Sequence, residues 1–162
     1  MKKNQTTIAA EPGKQEYFIT REFEAPRELV FKAYTDPALV AQWLKPCNLS
    51  MRIDKWETAP GGAYRYVHIT KPGEEYGFRG VFHECASPER IIQTFEFEGL
   101  PEKGHVCLST TRLEPLPGNR TRVIIQDVYQ SVADRDAALR SGMESGISEA
   151  NELLDELLKS LQ

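Results

Sequence analysis

The C-terminal stretch from Val132 onward constrains this chain more than any other part of it. Leu139, Met143, Ile147, Ala150, Leu154, Leu157, Leu158 and Leu161 recur at the three- and four-residue spacing that lines apolar side chains down one side of a helix. Ser131 and Asp134 stand as a capping box at its start, so the pattern predicts one helix over about Val132–Ser160. At 1.5 Å per residue it would be on the order of 40 Å long, enough to cross a whole sheet. Such a one-sided helix must cover an apolar surface, and the rest of the chain has to supply one.

That surface is written between Leu49 and Tyr129. Pro60-Gly61-Gly62, Lys71-Pro72-Gly73-Glu74, Ser87-Pro88 and Pro117-Gly118-Asn119 cut the stretch into β-favouring runs, and proline followed by glycine suits the centre of a type II turn. The breaks predict strands over about Leu49–Thr58, Ala63–Thr70, Tyr76–Cys85, Arg90–Glu98, His105–Glu114 and Thr121–Tyr129. Short links between them imply an antiparallel meander. Tyr17–Phe23 predicts an earlier strand. Pro26–Thr35 predicts a helix carrying Leu29, Val30, Ala33 and Tyr34, and Asp36-Pro37 caps a second short helix with Leu39, Val40 and Trp43. The expected fold is α+β: a curved antiparallel sheet of about seven strands, two short helices, and a long C-terminal helix packed across one face.

A chain of 162 residues fits a single domain, expected over residues 16–162. Residues 1–15 are polar and are expected to be a disordered tail. Cys47, Cys85 and Cys107 are an odd number with no CxxC pair, which fits reduced thiols in a cytoplasmic protein. A net charge of −4 with scattered lysines and arginines argues against nucleic acid, and no apolar run reaches the length of a membrane span. No metal or cofactor is expected: the chain lacks HExxH, a P-loop, GxSxG and a dinucleotide fingerprint. A homodimer is compatible with the sequence.

A site is expected where the long helix meets the sheet. Gly142 and Gly146 stand four apart beside Met143 and Ile147, each costing about 1 kcal/mol in a helix interior. Two readings account for them: close backbone packing on the sheet, or room for a ligand over that end. Residues two apart in a strand share a face, which groups Tyr64, Tyr66 and His68; Phe95 and Phe97; His105, Cys107 and Ser109; and Val123, Ile125 and Asp127. With the aromatic set inward, Trp43, Tyr64, Tyr66, Phe95, Phe97, Met143 and Ile147 would wall a pocket, and His68 and Asp127 would supply polar tips. No catalytic residue is assigned. An enzyme would need His68 or His105 as a general base within reach of a buried polar partner.

Five segments in this order carry a family resemblance: FEAPRELVFKAYTDPALVAQWLKP (Phe23–Pro46), APGGAYRY (Ala59–Tyr66), GVFHECASPERIIQTFEF (Gly80–Phe97), TRVIIQDVY (Thr121–Tyr129) and SGMESGISEANELLDELL (Ser141–Leu158). Over about Tyr17–Leu161 the chain resembles the SRPBCC superfamily (START and birch-pollen-allergen-like), in the branch named for activators of the ninety-kilodalton heat-shock protein ATPase. The resemblance implies a helix-grip fold and, for function, a cavity that holds a small hydrophobic molecule in a carrier or sensor role. Cyclase, aromatase or hydrolase chemistry and co-chaperone-like protein binding are the alternatives it brings. A chaperone partner is not expected, because the co-chaperones carry a further N-terminal domain where this chain has a short polar tail. Leu44 and Met143 stand where members often have tryptophan, so a relative's ligand does not transfer.

Overall fold

The computed structural model describes residues 4–162. Eight strands form one antiparallel sheet: β1 (Thr7–Ala9), β2 (Glu16–Phe23), β3 (Ser50–Trp56), β4 (Ala63–Ile69), β5 (Glu75–Ala86), β6 (Arg90–Phe97), β7 (Val106–Leu116) and β8 (Arg120–Val128). Their order across the sheet is β1-β2-β8-β7-β6-β5-β4-β3. The six meander strands thus form as the turns predict, and the glycine of each Pro-Gly pair has positive φ. Register shifts between Ile53 and Lys55 and between Phe82 and Glu84 mark bulges, which bend a strand and help curve the sheet.

Helices α1 (Arg27–Thr35) and α2 (Pro37–Trp43) connect β2 to β3. Pro26, the predicted first residue of α1, is its N-cap, so the helix starts one residue later, and the Asp36 side chain accepts from the Ala38 amide at 3.0 Å, with Pro37 opening α2. Two indoles fasten the end of α1. Trp43 Nε1 donates to the Ala33 carbonyl and Trp56 Nε1 to the Thr35 carbonyl, each at 2.9 Å, satisfying acceptors that a helix end leaves open.

The predicted C-terminal helix is two helices. Helix α3 (Val132–Arg140) and helix α4 (Met143–Ser160) are separated at Gly142, whose φ of 85° lies in the left-handed region. A turn of that hand ends one helix before the next begins. Apolar spacing alone gave no sign of the break, because Leu139 and Met143 keep the same interval across it. The capping box forms only in half: Ser131 Oγ accepts from the Asp134 amide at 3.1 Å, while the Asp134 carboxylate turns to His105.

The tail is the second correction. Within residues 4–15, β1 pairs with β2, so the sheet has one strand more than predicted. Polar partners far along the chain hold the segment: Arg135 Nη1 donates to the Glu11 carbonyl at 2.6 Å, Asn151 Nδ2 to Thr6 Oγ1 at 2.8 Å, and Arg21 to the Asn4 carbonyl. Hydrogen bonding to buried arginines and an open sheet edge does here what apolar burial was expected to be needed for. The expectation for residues 1–3 lies outside the described residues.

The core lies between the concave sheet face and the helices. Phe23, Val30, Tyr64, Phe82, Ile91, Leu154 and Leu158 are all 2% exposed or less, and each such side chain contributes about 1.5–3 kcal/mol by leaving water.

Candidate site on the concave face

The aromatic set faces inward. Tyr64 and Tyr66 are buried and stack with centroids 6.2 Å apart; Tyr66 stacks on Phe78 at 5.1 Å, and Phe78 meets Phe95 at 5.7 Å and Phe97 at 5.2 Å. Trp56 closes the other end against Tyr64 at 5.4 Å. The strands impose this: each ring is offset by two residues along a strand or paired across a ladder, as Tyr66 is with Phe78 and Phe78 with Phe97. The run passes from buried at Tyr64 to half-buried at Phe78, Phe95 and Phe97.

Helix α4 follows the same gradient. Leu154, Leu157 and Leu158 are buried in its C-terminal half and Ala150 is buried near its middle, while Met143 and Ile147 in its first turns are only half-buried. Gly146 is not there for tight packing, since a Cβ on it would meet only Pro46 Cγ, at 3.9 Å. Gly142 would meet nothing within 4 Å; its left-handed turn is what requires glycine. Of the two readings of the glycine pair, spare room fits Gly146, and Gly142 serves as a hinge.

The expected polar tips differ in kind. His68 lies between Tyr66 and Phe78, with Nε2 2.8 Å from the Leu44 carbonyl oxygen. A carbonyl only accepts, so Nε2 carries the proton, and burial holds the ring neutral by lowering its pKa. His68 fastens the segment between α2 and β3. His105 does not share the inward face of Cys107 and Ser109, because it precedes β7; it is a third exposed, with Nδ1 2.9 Å from Asp134 and Nε2 3.5 Å from Glu102. The Asp134 hydrogen bond raises its pKa. Neither histidine forms a buried base and orienter pair among the described residues.

Asp127 does face inward, next to Ile125 and Val123 on β8, with Tyr17 of β2 and Ser109 of β7 opposite it. Both of those hydroxyls hydrogen-bond its carboxyl, yet burial outweighs them and raises its pKa. Tyr17 and Tyr129 share a hydrogen bond of 3.0 Å between hydroxyl oxygens, and Cys107 hydrogen-bonds Tyr129. Burial pushes the pKa of Tyr17, Tyr129 and Cys107 up, so all three keep their protons at neutral pH. This polar cluster was missed apart from Asp127 and the facing of Cys107 and Ser109. Tyr17 carried a readable signal: it alternates with Ile19 and Phe23, which are buried.

Trp43 is 3% exposed, packs edge-on to Tyr34 at 4.8 Å and uses its N–H on α1, so it belongs to the helix core and not to the open end. Two grooves elsewhere share none of the aromatic rings, Asp127, Met143 or Ile147. One, of about 680 Å³, runs along the outer side of α4 between Glu149, Glu152, Asp155 and Glu156 and the segment at Asn4, Glu24 and Cys47; the other, of about 160 Å³, lies by Thr7, Thr20 and Arg122. No group of three or more metal-ligating side chains gathers among the described residues. Nor is any described helix long and apolar enough to cross a membrane.

A long helix held against a curved antiparallel sheet, with aromatic rings between, is the helix-grip fold of the SRPBCC superfamily. The chain belongs to the family described as activator of Hsp90 ATPase homolog 1-like protein, whose profile matches residues 24–159. Among solved structures it is similar to a Rhodobacter sphaeroides protein at 28% identity, covering 96% of this chain and 99% of that one with a TM-score of 0.86. An Arthrobacter aurescens protein is 25% identical over 95% of this chain and 91% of its own, with a TM-score of 0.85. The AHSA1 protein of Silicibacter pomeroyi shares the fold at 22% identity, covering 91% of this chain and 99% of that one, with a TM-score of 0.75. No curated protein matches the sequence.

Proposed function

We propose that the chain carries or senses a small hydrophobic molecule, aromatic or lipid-like, held between the concave sheet face and the N-terminal half of α4. One observation carries the reading: the aromatic run ends in half-buried Phe78, Phe95 and Phe97, and the part of α4 with Met143 and Ile147 is half-buried too. Exposed apolar surface of this kind, next to a closed core, gains free energy by covering itself with an apolar guest, about 25 cal/mol per Å² removed from water. The fold family commonly binds hydrophobic ligands, which adds weight. Met143 suits the mouth because its side chain turns easily to admit a guest. Three free cysteines, one of them exposed, fit a reducing cytoplasm.

Native mass spectrometry of the purified protein, repeated after denaturing extraction, tests this. A small molecule retained in the first spectrum and freed in the second is the expected result. A clean mass, together with a thermal-shift screen in which no hydrophobic compound raises the melting temperature, would overturn the reading.

A further inference from the structure

Three side-chain atoms among the described residues are buried with no hydrogen-bond partner: Arg21 Nε, Arg27 Nε and Asp127 Oδ1. Arg21 spends its terminal nitrogens on Asp155 and the Asn4 carbonyl. Asp127 is different, because the unmet atom is a carboxyl oxygen on the inward face of β8, where burial without a partner is costly. The residue as a whole is half-buried, while Oδ1 itself is closed to solvent in this structure.

The hydroxyls around it are already committed. Tyr17 and Ser109 already hydrogen-bond the carboxyl, and Tyr17 also shares a hydrogen bond with Tyr129. The charged and titratable groups facing Asp127 are Tyr17 from β2, Cys107 from β7, Tyr129 at the end of β8 and Tyr64 from β4, and none of them is a cation. The fold therefore presents an acceptor and no internal donor for it. Two strand spacings, about 10 Å, separate β8 from Phe95 on β6, close to the length of a two-ring molecule.

Resting on the hydrophobic-ligand reading, we propose that the bound molecule bears a hydroxyl or amine at one end, which donates to Asp127 Oδ1 while its apolar body lies against Phe95 and Phe97. The donor completes the carboxyl's hydrogen bonding, and the rings supply the apolar contact. Molecules of the same shape whose only polar atom is an acceptor leave Oδ1 unmet and bind more weakly.

Binding of 2-naphthol, 2-naphthylmethylamine and 2-methoxynaphthalene to the full chain, followed by fluorescence, tests the proposal. The naphthol or the amine is expected to bind on the order of tenfold more tightly than the ether, the scale of one hydrogen bond to a charged group. The amine ahead of the naphthol identifies a cationic head, and the reverse order a neutral one. In Asp127→Asn the amide oxygen stays with Tyr17 and Ser109, its NH2 takes the place of Oδ1, and the advantage over the ether is expected to vanish. Asp127→Leu, which removes both polar atoms, should bind the ether at least as well as the parent does, showing that the apolar site still forms. Equal binding of all three probes to the parent overturns the donor requirement and leaves the hydrophobic site standing. An advantage that survives Asp127→Asn overturns Asp127 as the docking point, and failure of all three to bind overturns the hydrophobic site as well.

Discussion

The two halves of α4 have the same kind of sequence and different surroundings. Leu154, Leu157 and Leu158 are embedded against the sheet and the short helices, while Met143 and Ile147, on the same stripe, keep part of their surface open. An apolar face thus specifies that a helix will lie on a sheet, but not that it will be sealed along its whole length. The seal depends on what the sheet offers in return. Phe23, Leu113 and Val123, all buried, share one core cluster with the closed half, whereas Phe78, Phe95, Phe97 and Asp127 on the sheet are only half-buried.

The largest effect that separates the halves is expected from Leu154→Ala, which removes a side chain with no exposure and should cost about 2–5 kcal/mol in urea unfolding. Ile147→Ala makes a comparable truncation at the open half and should cost well under half as much. Equal losses would mean that the two halves are packed alike. Gly142→Ala comes next: the left-handed turn between α3 and α4 disfavours a side-chain-bearing residue by about 1–2 kcal/mol, although there is space for the methyl group, so the melting temperature should fall.

Asp127→Asn should act in the opposite direction. Burial raises the pKa of Asp127 in the folded chain above its unfolded value, so the ionised carboxyl destabilises the fold at neutral pH, and that destabilisation fades as pH falls through the raised pKa toward the ordinary carboxylate range. The variant is expected to melt higher than the parent at pH 7 and to lose that gain in acid. A gain independent of pH would show that the carboxyl is not the cause. The smallest effect should come from His105→Ala. Asp134 raises the histidine's folded pKa, so its contribution is present below the ordinary histidine range and disappears as pH rises through the raised value. Melting curves of parent and variant should converge toward alkaline pH, and a difference that grew there would contradict the pairing.

Legibility in the sequence followed the range of each interaction. Turns, caps and strand alternation act over a few residues, and they sufficed to predict β2 to β8, both short helices and the inward facing of Tyr64, Tyr66, Phe95 and Phe97. What the sequence did not disclose depends on distant partners. The tail is ordered by Arg135, 124 residues from Glu11, and Tyr17 meets Tyr129 across 112 residues. His105 was misplaced for a different reason: alternation holds only inside a strand, and β7 starts at Val106. Trp56 and Phe78 were overlooked because their strands were read for turns and not for the face they present, although both lie among the inward rings.

The strand order also bears on how the chain is made. Strand β2, translated early, has β8 as its neighbour on the meander side, and its register runs from Glu16 opposite Val128 to Phe23 opposite Thr121. On a ribosome the segment from β3 to β7 can form its hairpins as it emerges, whereas β2 must wait for about a hundred more residues before its partner exists. Tyr17 and Asp127 sit on either side of that seam, so the polar cluster they form can be completed only when synthesis is nearly over.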